Sequence, residues 1–261
     1  MLQNKKHLGQ NCLKDRTTLE TIADLAFDSP DPAETPRLCL EIGPGLGTLT
    51  SSLLRRFEKV LAVEFDTKLA NNLPKSFPGK NLEVKNADFL KFNLAEIKEP
   101  YVVAGNIPYY ITTPIIEKLL TAENKPAKIV LLVQKEVAEK VCSAESGLKN
   151  SSLSLFIENF ASPQLGPVVT RDFFTPPPKV DSRVLILTPR KAPQTSPVVL
   201  GFVHRAFANP RKKLSSNLAS STNLSKIEIE KLLTSLNLDV NCRPADLSLA
   251  DYAMLAKSTK K

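Results

Sequence analysis

The stretch LCLEIGPGLG, from Leu38 to Gly47, joins a short, mostly apolar run to a glycine-rich turn. The run is typical of a strand that is buried on both faces of a sheet. Gly43, Gly45 and Gly47 then alternate with other residues, and residues 48–57 have the pattern of a helix. Closely spaced glycines let a backbone turn tightly at the carboxyl edge of a parallel sheet and approach a ligand. The stretch therefore predicts the first strand, loop and helix of an α/β domain.

Apolar runs and helical patterns go on alternating after this stretch. Further strands are predicted at residues 60–63, 82–85, 101–104 and 129–133, and helices at residues 67–73 and from Thr113–Pro114 onward. Such alternation predicts βαβ units and a mainly parallel sheet. Ser154–Phe160 and Arg183–Leu187 look like strands with no helix between them, which predicts an antiparallel edge on that sheet.

The pattern changes near Pro189, where three prolines mark a loop and only helical patterns follow. Residues 198–208 carry apolar side chains on one side, and Ser225 with Glu228 has the spacing of a capping box. Residues 248–256 predict a last short helix. We therefore predict two domains, residues 1–189 and residues 190–261.

The positive charge of the chain is concentrated in one segment. Of 261 residues, 35 are Lys or Arg and 27 are Asp or Glu, so the net charge is +8. Residues 182–227 contain no acid, and their bases equal the whole surplus: Arg183, Arg190, Lys191, Arg205, Arg211, Lys212, Lys213 and Lys226. Such a run indicates a surface for a polyanion, most often nucleic acid. The alternative is a basic surface that only meets solvent.

Cysteine and histidine usage argues against a metal site or a disulfide scaffold. The chain has four cysteines and two histidines, and no pair has the spacing of metal ligands. Residues 1–8 are polar and basic, without the apolar region of a signal peptide. The longest aliphatic run, Ile129–Val133, is too short to cross a bilayer. We expect a cytoplasmic protein without a metal ion and without a membrane partner.

Residues in and around the glycine loop limit the classes of ligand that it could bind. Glu41 precedes Gly43 by two residues, and Thr48 occupies the position where a dinucleotide fingerprint needs glycine. No Gly-Lys-Ser/Thr follows, so a P-loop is excluded. The spacing resembles the S-adenosylmethionine loop of class I methyltransferases, although a purely structural turn is the alternative.

An acidic residue stands at or just after the end of each of the next two predicted strands. Glu64 ends the second strand and could accept two hydrogen bonds from a ribose diol. Asp88 follows the third strand and could accept one from an adenine amino group. Each alone could be a solvated acid in a loop, but all three strand ends share one edge of the sheet.

Asn106-Ile107-Pro108-Tyr109 follows the fourth predicted strand. An exocyclic adenine nitrogen is a poor nucleophile, because its lone pair is delocalised into the ring. A pair of acceptors for the amino hydrogens favours a tetrahedral nitrogen with a directed lone pair. The Asn106 side-chain oxygen and the Pro108 carbonyl could be those acceptors, and Tyr109 could stack on the base. A proline turn with a buried tyrosine is the alternative.

Together these segments resemble one family closely. Its motifs match Lys6–Leu13, Glu41–Thr50, Val63–Glu64, Asp88, Asn106–Tyr109, Val133–Ala138, Phe174–Ser182 and Arg243–Ala256. The family is the small-subunit ribosomal RNA adenine N6,N6-dimethyltransferases of the kasugamycin-resistance type. The resemblance implies a class I, Rossmann-like α/β domain with a seven-stranded, mainly parallel sheet, and a small helical domain that docks on RNA. It also implies S-adenosylmethionine as cofactor and dimethylation of two adjacent adenosines near the 3′ end of 16S rRNA, in pre-30S particles and by a monomer.

The resemblance also implies roles for individual residues. Contacts with the cofactor are expected from Asn11, Leu13, Gly43, Glu64, Asp88 and Asn106. Phe174 is expected to sandwich the target base against Tyr109. The sequence departs from the family at Cys12, where Phe is usual, at Ile107, where Leu is usual, and in the less arginine-rich run Asn209–Lys213. These departures affect packing over the cofactor and docking on rRNA rather than the chemistry.

Three other functions compete with this one. A resistance-type dimethyltransferase of large-subunit rRNA shares the glycine loop and the Asn-Ile-Pro-Tyr motif, but the RPADLSLADY segment favours the small-subunit family. Enzymes that methylate adenine in DNA or a glutamine side chain prefer a second proline where Ile107 stands. A non-catalytic RNA-binding assembly factor would be free to lose Glu64, Asp88, Asn106 and Tyr109.

Overall fold

The computed structural model describes residues 11–28 and 36–259. The first part of the predicted N-terminal motif, Lys6–Gln10, lies outside the described residues. The chain divides into two compact units. The α/β unit comprises Met1–Ala138 and Pro163–Pro189, and the helical unit comprises Glu139–Ser162 and Arg190–Lys261.

Most strands belong to the α/β unit. They are β1 (Cys12–Leu13), β2 (Leu38–Ile42), β3 (Lys59–Glu64), β4 (Leu82–Asn86), β5 (Tyr101–Asn106), β6 (Ile129–Gln134), β7 (Ala161–Val169), β8 (Phe174–Thr175) and β9 (Ser182–Pro189). The helices are α1 (Arg16–Phe27), α2 (Thr48–Leu53), α3 (Thr67–Asn72), α4 (Thr112–Thr121), α5 (Lys135–Val141), α6 (Ser143–Ser146), α7 (Ser152–Phe160), α8 (Pro197–Ala206), α9 (Leu214–Ala219), α10 (Lys226–Ser235) and α11 (Leu249–Ser258).

Seven strands form one sheet in the order β4-β3-β2-β5-β6-β9-β7. The pairs from β4 to β6 are parallel, and β9 runs antiparallel to β6. The predicted fold class, a seven-stranded and mainly parallel α/β sheet, is therefore confirmed. Strands β3, β2 and β5 are neighbours and run parallel, so their carboxyl ends lie at the same edge of the sheet.

One predicted strand is wrong. Ser154–Phe160 lies in helix α7, where Ser151 and Ser154 form a capping box and Leu155 and Ile157 are buried. The strand at that edge is instead β7, which contains two prolines and Gly166 and so lacks a clear strand signal. A Cβ added at Gly166 would lie 2.8 Å from the Cβ of Val184 on the neighbouring β9. Glycine is therefore needed there for close approach of the two strands.

The boundary between the units differs from the prediction in one segment. Residues 139–162 group with residues 190–261, although the sequence placed them in the first domain. The reason is packing, since Leu155 is fully buried and belongs to the same apolar core as Phe202 and Leu233 of the helical unit. The predicted capping box at Ser225 is present, and the last helix has another at Ser248.

Helix α4 starts two residues earlier than predicted, since Thr113 was expected as the N-cap and Pro114 as the first helical residue. Thr112 is already helical, and a 3-10 turn over Tyr109–Ile111 leads directly into the helix, so Pro114 occupies its third position. Proline is tolerated there because the first turn of a helix needs no internal N–H donor. Among the described residues, no helix is both long and apolar enough to cross a membrane.

Candidate active site

A cavity of about 300 Å³ opens at the carboxyl edge of the parallel strands. Its size lies at the lower end of the range of about 300–1,000 Å³ that is usual for small-molecule sites. It brings together most of the predicted site residues: Asn11, Gly43, Glu64, Asp88, Asn106, Pro108 and Tyr109. Leu13 and Phe174 do not line it.

The glycine loop forms one wall of this cavity. Gly43, Gly45 and Gly47 have φ angles of 65°, 58° and 85°, in the left-handed region that favours glycine. A Cβ added at Gly43 or Gly45 would meet no atom within 4 Å, since both face open space. A Cβ at Gly47 would lie 2.7 Å from Leu73 Cδ1. The first two glycines therefore keep a cradle open, and the third allows the loop to pack on its own domain.

Glu41 lies beneath the glycine loop and is fully buried. Thr50 Oγ1 donates to its Oε2 over 2.6 Å. Burial raises the pKa of Glu41 to about 8, and the hydrogen bond from Thr50 partly opposes this, while the nearby Glu64 raises the pKa further. The sequence singled out Glu41 only by its spacing from Gly43. A pKa of about 8 means that its carboxyl group is mainly protonated at pH 7.

Glu64 ends β3 and points into the same cavity. Its two carboxylate oxygens accept one backbone hydrogen bond each, from Gly45 N at 3.0 Å and Asp66 N at 2.8 Å. Burial raises the pKa of Glu64, and these backbone donors lower it. The bonds fix the orientation of the carboxylate. Each oxygen keeps a lone pair for a further donor, so a vicinal diol can bind to it.

Asp88 follows β4 and organises the turn after it. Its Oδ1 accepts from Leu90 N over 3.0 Å, and its backbone carbonyl accepts from the N–H of Phe92. Asp88 lines the cavity, and within the described ranges its Oδ2 accepts no hydrogen bond. Phe89 and Leu90 also line the cavity and add an apolar surface suited to a flat base.

Asn106, the last residue of β5, is held by the residue that precedes strand β1. Its Nδ2 donates to the backbone carbonyl of Asn11 over 2.9 Å. A carbonyl can only accept, so this contact assigns the orientation of the amide. Within the described part of the chain, Asn106 Oδ1 accepts no hydrogen bond. The oxygen that the sequence proposed as an acceptor is thus available to a substrate.

Pro108 and Tyr109 form the opposite wall. The Pro108 carbonyl accepts from Ile111 N over 3.2 Å, and its second lone pair is available to another donor. The Tyr109 hydroxyl lies 2.7 Å from the Oγ of Ser182, which is fully buried at the start of β9. Burial raises the pKa of Tyr109. The tyrosine ring is therefore fixed at its far end.

Leu13 and Phe174 lie opposite each other in a short strand pair. They are cross-strand partners in the two-stranded antiparallel sheet of β1 and β8, and both are part of the apolar core of the α/β unit. Phe174 is only 3% exposed. The position of its ring against Tyr109 therefore stays a prediction.

The sequence missed several lining residues. Phe65 and Tyr110 are 63% and 69% exposed at the cavity mouth, next in sequence to Glu64 and Tyr109. A large aromatic side chain beside each predicted polar residue was the available signal. Their exposure could not be read from the sequence, because it depends on where each chain segment turns.

This arrangement suits S-adenosylmethionine. The open cradle at Gly43 and Gly45 accepts a group close to the backbone, and Glu64 offers two acceptors for a ribose. The apolar surface of Phe89 and Leu90 suits the flat face of adenine, and the neighbouring Asp88 carboxylate can accept from its amino group. Among the described residues, no cluster of histidine, cysteine and acidic side chains could hold a metal ion. The fold and this site define a Rossmann-like S-adenosylmethionine-dependent methyltransferase.

Comparison with known proteins identifies the family of methyltransferases to which the chain belongs. The family model for ribosomal RNA adenine dimethylase matches residues 1–261, and the chain belongs to that family. The ribosomal RNA small subunit methyltransferase A of Geobacillus kaustophilus (strain HTA426) is 37% identical, over 97% of this chain and 90% of its own. The protein of the same name from Bacillus cytotoxicus is 35% identical with the same coverage.

Two solved structures share the fold over nearly the whole chain. A dimethyladenosine transferase from Plasmodium falciparum superposes with a TM-score of 0.75 at 26% identity, covering 95% of this chain and 97% of the other. The 23S rRNA methyltransferase ErmE superposes with a TM-score of 0.73 at 28% identity, covering 95% and 99%. The chain is therefore an rRNA adenine dimethyltransferase by family.

Proposed function

We propose that this enzyme transfers methyl groups from S-adenosylmethionine to N6 of two adjacent adenosines near the 3′ end of small-subunit rRNA. The observation that carries the proposal is the geometry of Asn106. Its Oδ1 is left open at the cavity while its Nδ2 is fixed on Asn11. The small-subunit methyltransferase names of the relatives from Geobacillus kaustophilus and Bacillus cytotoxicus support the choice of substrate.

S-adenosylmethionine supplies a methyl group that is already strongly electrophilic, so the protein needs no strong base. Asn106 Oδ1 and the Pro108 carbonyl accept hydrogen bonds from the two amino hydrogens of the target base. These contacts localise the nitrogen lone pair and direct it toward the methyl group. Both acceptors are preorganised, Asn106 by the Asn11 carbonyl and Pro108 by its ring and by Ile111 N.

The target base stacks on Tyr109 in this proposal. The hydrogen bond of its hydroxyl with Ser182 holds the ring in one orientation. Stacking of one base on an aromatic side chain contributes about 1–3 kcal/mol, which helps to keep a base out of its helix. Phe174 is proposed to complete this stack; it is buried in the core of the α/β unit, where β8 pairs with β1.

The cofactor contacts proposed at Gly43, Glu64, Asp88 and Asn11 follow from the cavity lining. Leu13 contributes indirectly, by anchoring strand β1, which Asn11 directly precedes. In the helical unit, Arg211, Lys212 and Lys213 are exposed in the connection between α8 and α9. We assign them to docking on rRNA in pre-30S particles. A cytoplasmic monomer agrees with this role.

A second candidate function is methylation of large-subunit rRNA, which the likeness to ErmE favours. The experiment incubates the full chain and labelled S-adenosylmethionine with unmodified 30S particles, naked 16S rRNA and 50S particles. We expect labelling of 30S particles, with two methyl groups on each of two adenosines. Labelling of 50S particles alone would replace our proposal with the second candidate. Binding of particles without any labelling would indicate a non-catalytic assembly factor.

A further inference from the structure

Lys118, on helix α4, does not line the cavity but reaches the turn that follows β4. Its Nζ donates to the backbone carbonyls of Leu90 and Phe92, over 2.8 Å and 2.6 Å. The same ammonium lies 5.6 Å from the ring centroid of Phe89, within the range of a cation–π contact. One side chain thus contacts three residues of a single turn.

That turn is the one that carries Asp88. The N–H groups of Lys91 and Phe92 both donate to the Asp88 carbonyl over 2.9 Å, while Leu90 N donates to the Asp88 side chain. These bonds use N–H groups and leave the carbonyls of Leu90 and Phe92 in need of donors. An ammonium group, with three N–H bonds, can satisfy both. Lys118 therefore completes the hydrogen bonding of the turn.

Lys118 also connects this turn to the catalytic segment. Helix α4 begins at Thr112, and only the 3-10 turn Tyr109–Ile111 separates it from Pro108. The Asp88 turn and the Asn106–Tyr109 segment lie on different strands, β4 and β5, and β3 and β2 stand between those strands in the sheet. A contact from α4 to the turn therefore bridges two parts of the site that the sheet itself keeps apart.

The electrostatics agree with a fixed contact. Burial lowers the pKa of Lys118, and the nearby Asp88 raises it. A half-buried ammonium group is stable where several acceptors and a carboxylate surround it. In this turn the surrounding groups are the two carbonyls, the Phe89 ring and Asp88.

We propose that Lys118 is a positioning residue for the cofactor. By holding the carbonyls of Leu90 and Phe92, it fixes Asp88 where the carboxylate accepts the amino group of the cofactor's adenine. The inference rests on the proposed function, in which Asp88 has that contact. Its consequence is specific: Lys118 governs cofactor affinity and preference for adenine, not the methyl transfer itself.

The test measures binding of two probes to the full chain by calorimetry. S-adenosylhomocysteine carries the adenine amino group, and S-inosylhomocysteine carries an oxygen in its place. Lys118→Met removes the donors and keeps a side chain of similar length. We expect about tenfold weaker binding of S-adenosylhomocysteine, since hydrogen bonds from a charged group are lost and Asp88 moves. The preference over the inosine probe shrinks as well.

Two further variants separate positioning from general damage. Lys118→Arg keeps a charged donor and restores most of the affinity. Lys91→Met makes the same change on an exposed side chain of the same turn, and we expect it to bind both probes like the wild type. At saturating cofactor, turnover of Lys118→Met stays within about twofold of the wild type, the pattern of a ground-state binding defect.

Each outcome decides between the alternatives. Unchanged affinity in Lys118→Met overturns the inference, as does an equal loss for both probes, because that result means general support of the fold. Failure of the wild type itself to bind S-adenosylhomocysteine would instead overturn the proposed function. The two failures are therefore distinguishable in one series of titrations.

Discussion

Asn106 and Asn11, which lie 95 positions apart, are joined by a hydrogen bond from Asn106 Nδ2 to the Asn11 carbonyl over 2.9 Å. This contact links the end of a central strand to the segment that precedes β1. Because β1 pairs with β8, the same segment connects Asn106 to the strand that carries Phe174. The two ends of the Asn106 amide are therefore in different situations: Nδ2 is bound to the Asn11 carbonyl, and Oδ1 is the atom that we propose accepts from the substrate.

The first prediction concerns these two ends of the amide. Asn106→Ala removes both, and we expect kcat to fall by about 10²–10³, the usual effect of losing a preorganised polar group. Asn106→Asp keeps an oxygen but places a carboxylate against the Asn11 carbonyl, which repels it. The measurement is single-turnover methylation of 30S particles, with particle binding as the control. Turnover equal to the wild type in Asn106→Ala would refute the role of Oδ1.

The second prediction concerns Phe174, which is buried opposite Leu13. Phe174→Ala leaves a cavity in the core, so we expect it to lower the free energy of unfolding by about 3–5 kcal/mol. Phe173→Ala is the matched control, because Phe173 is exposed and next in sequence. Denaturant unfolding checks both variants. If Phe174→Ala loses turnover but no stability, the ring is a base platform that the described conformation conceals.

The polar residues of the site could largely be predicted from the sequence. Gly43, Glu64 and Asn106 each follow an apolar strand, and the ends of parallel strands share one edge whatever the rest of the fold does. The local sequence was therefore enough to predict that these residues lie close together.

Residues placed by long-range packing could not be predicted in the same way. The burial of Phe174 depends on its pairing with Leu13, and the contact of Lys118 depends on where α4 crosses the turn after β4. Residues 154–160 were misread as a strand because short apolar runs suit strands and buried helices equally. Ser151 distinguishes the two, because its side chain caps the N-terminus of helix α7.

The third prediction compares two glycines of the loop. Gly45→Ala adds a methyl group that meets no protein atom within 4 Å, so its cost to stability is the left-handed backbone alone, about 1–2 kcal/mol. The methyl group instead enters the cavity and weakens cofactor binding. Gly47→Ala meets Leu73 and Phe77 at less than 3 Å, and we expect a larger loss of stability, about 2–5 kcal/mol.

Thermal unfolding and titration with S-adenosylhomocysteine check this pair. For Gly45→Ala we expect a defect mainly in affinity, and for Gly47→Ala mainly in stability. The reverse order of the two defects would mean that Gly45 does not face the cofactor.

The fourth prediction uses the buried Glu41. Burial raises its pKa in the folded protein to about 8, with smaller effects from Thr50 and Glu64, whereas the unfolded chain has the ordinary value. The unfolded state therefore releases this proton at lower pH than the folded state does. Its contribution to stability is complete below about pH 4 and is lost as the pH rises toward about 8.

Glu41→Gln keeps an oxygen that can accept from Thr50 but cannot ionise. We expect the free energy of unfolding of the wild type to fall more between pH 5 and pH 8 than that of the variant. Urea unfolding at both pH values measures the difference. Equal pH dependence in the two proteins would show that Glu41 ionises normally in the folded state.

The last prediction concerns the exposed bases Arg211, Lys212 and Lys213, between α8 and α9. Replacing all three by Gln removes up to three contacts with phosphates. Each phosphate contact contributes about 0.7–0.9 to the slope of log K against log salt, because binding releases condensed counterions. We therefore expect weaker binding to 30S particles and a slope that is shallower by about 2–3.

The matched control is Lys68→Gln with Lys75→Gln and Lys80→Gln, which removes the same charge from exposed positions of the α/β unit. Filter binding over a range of potassium chloride concentrations gives both slopes. If the control flattens the slope as much as the triple variant does, the effect reflects total charge, and these bases are not the docking surface.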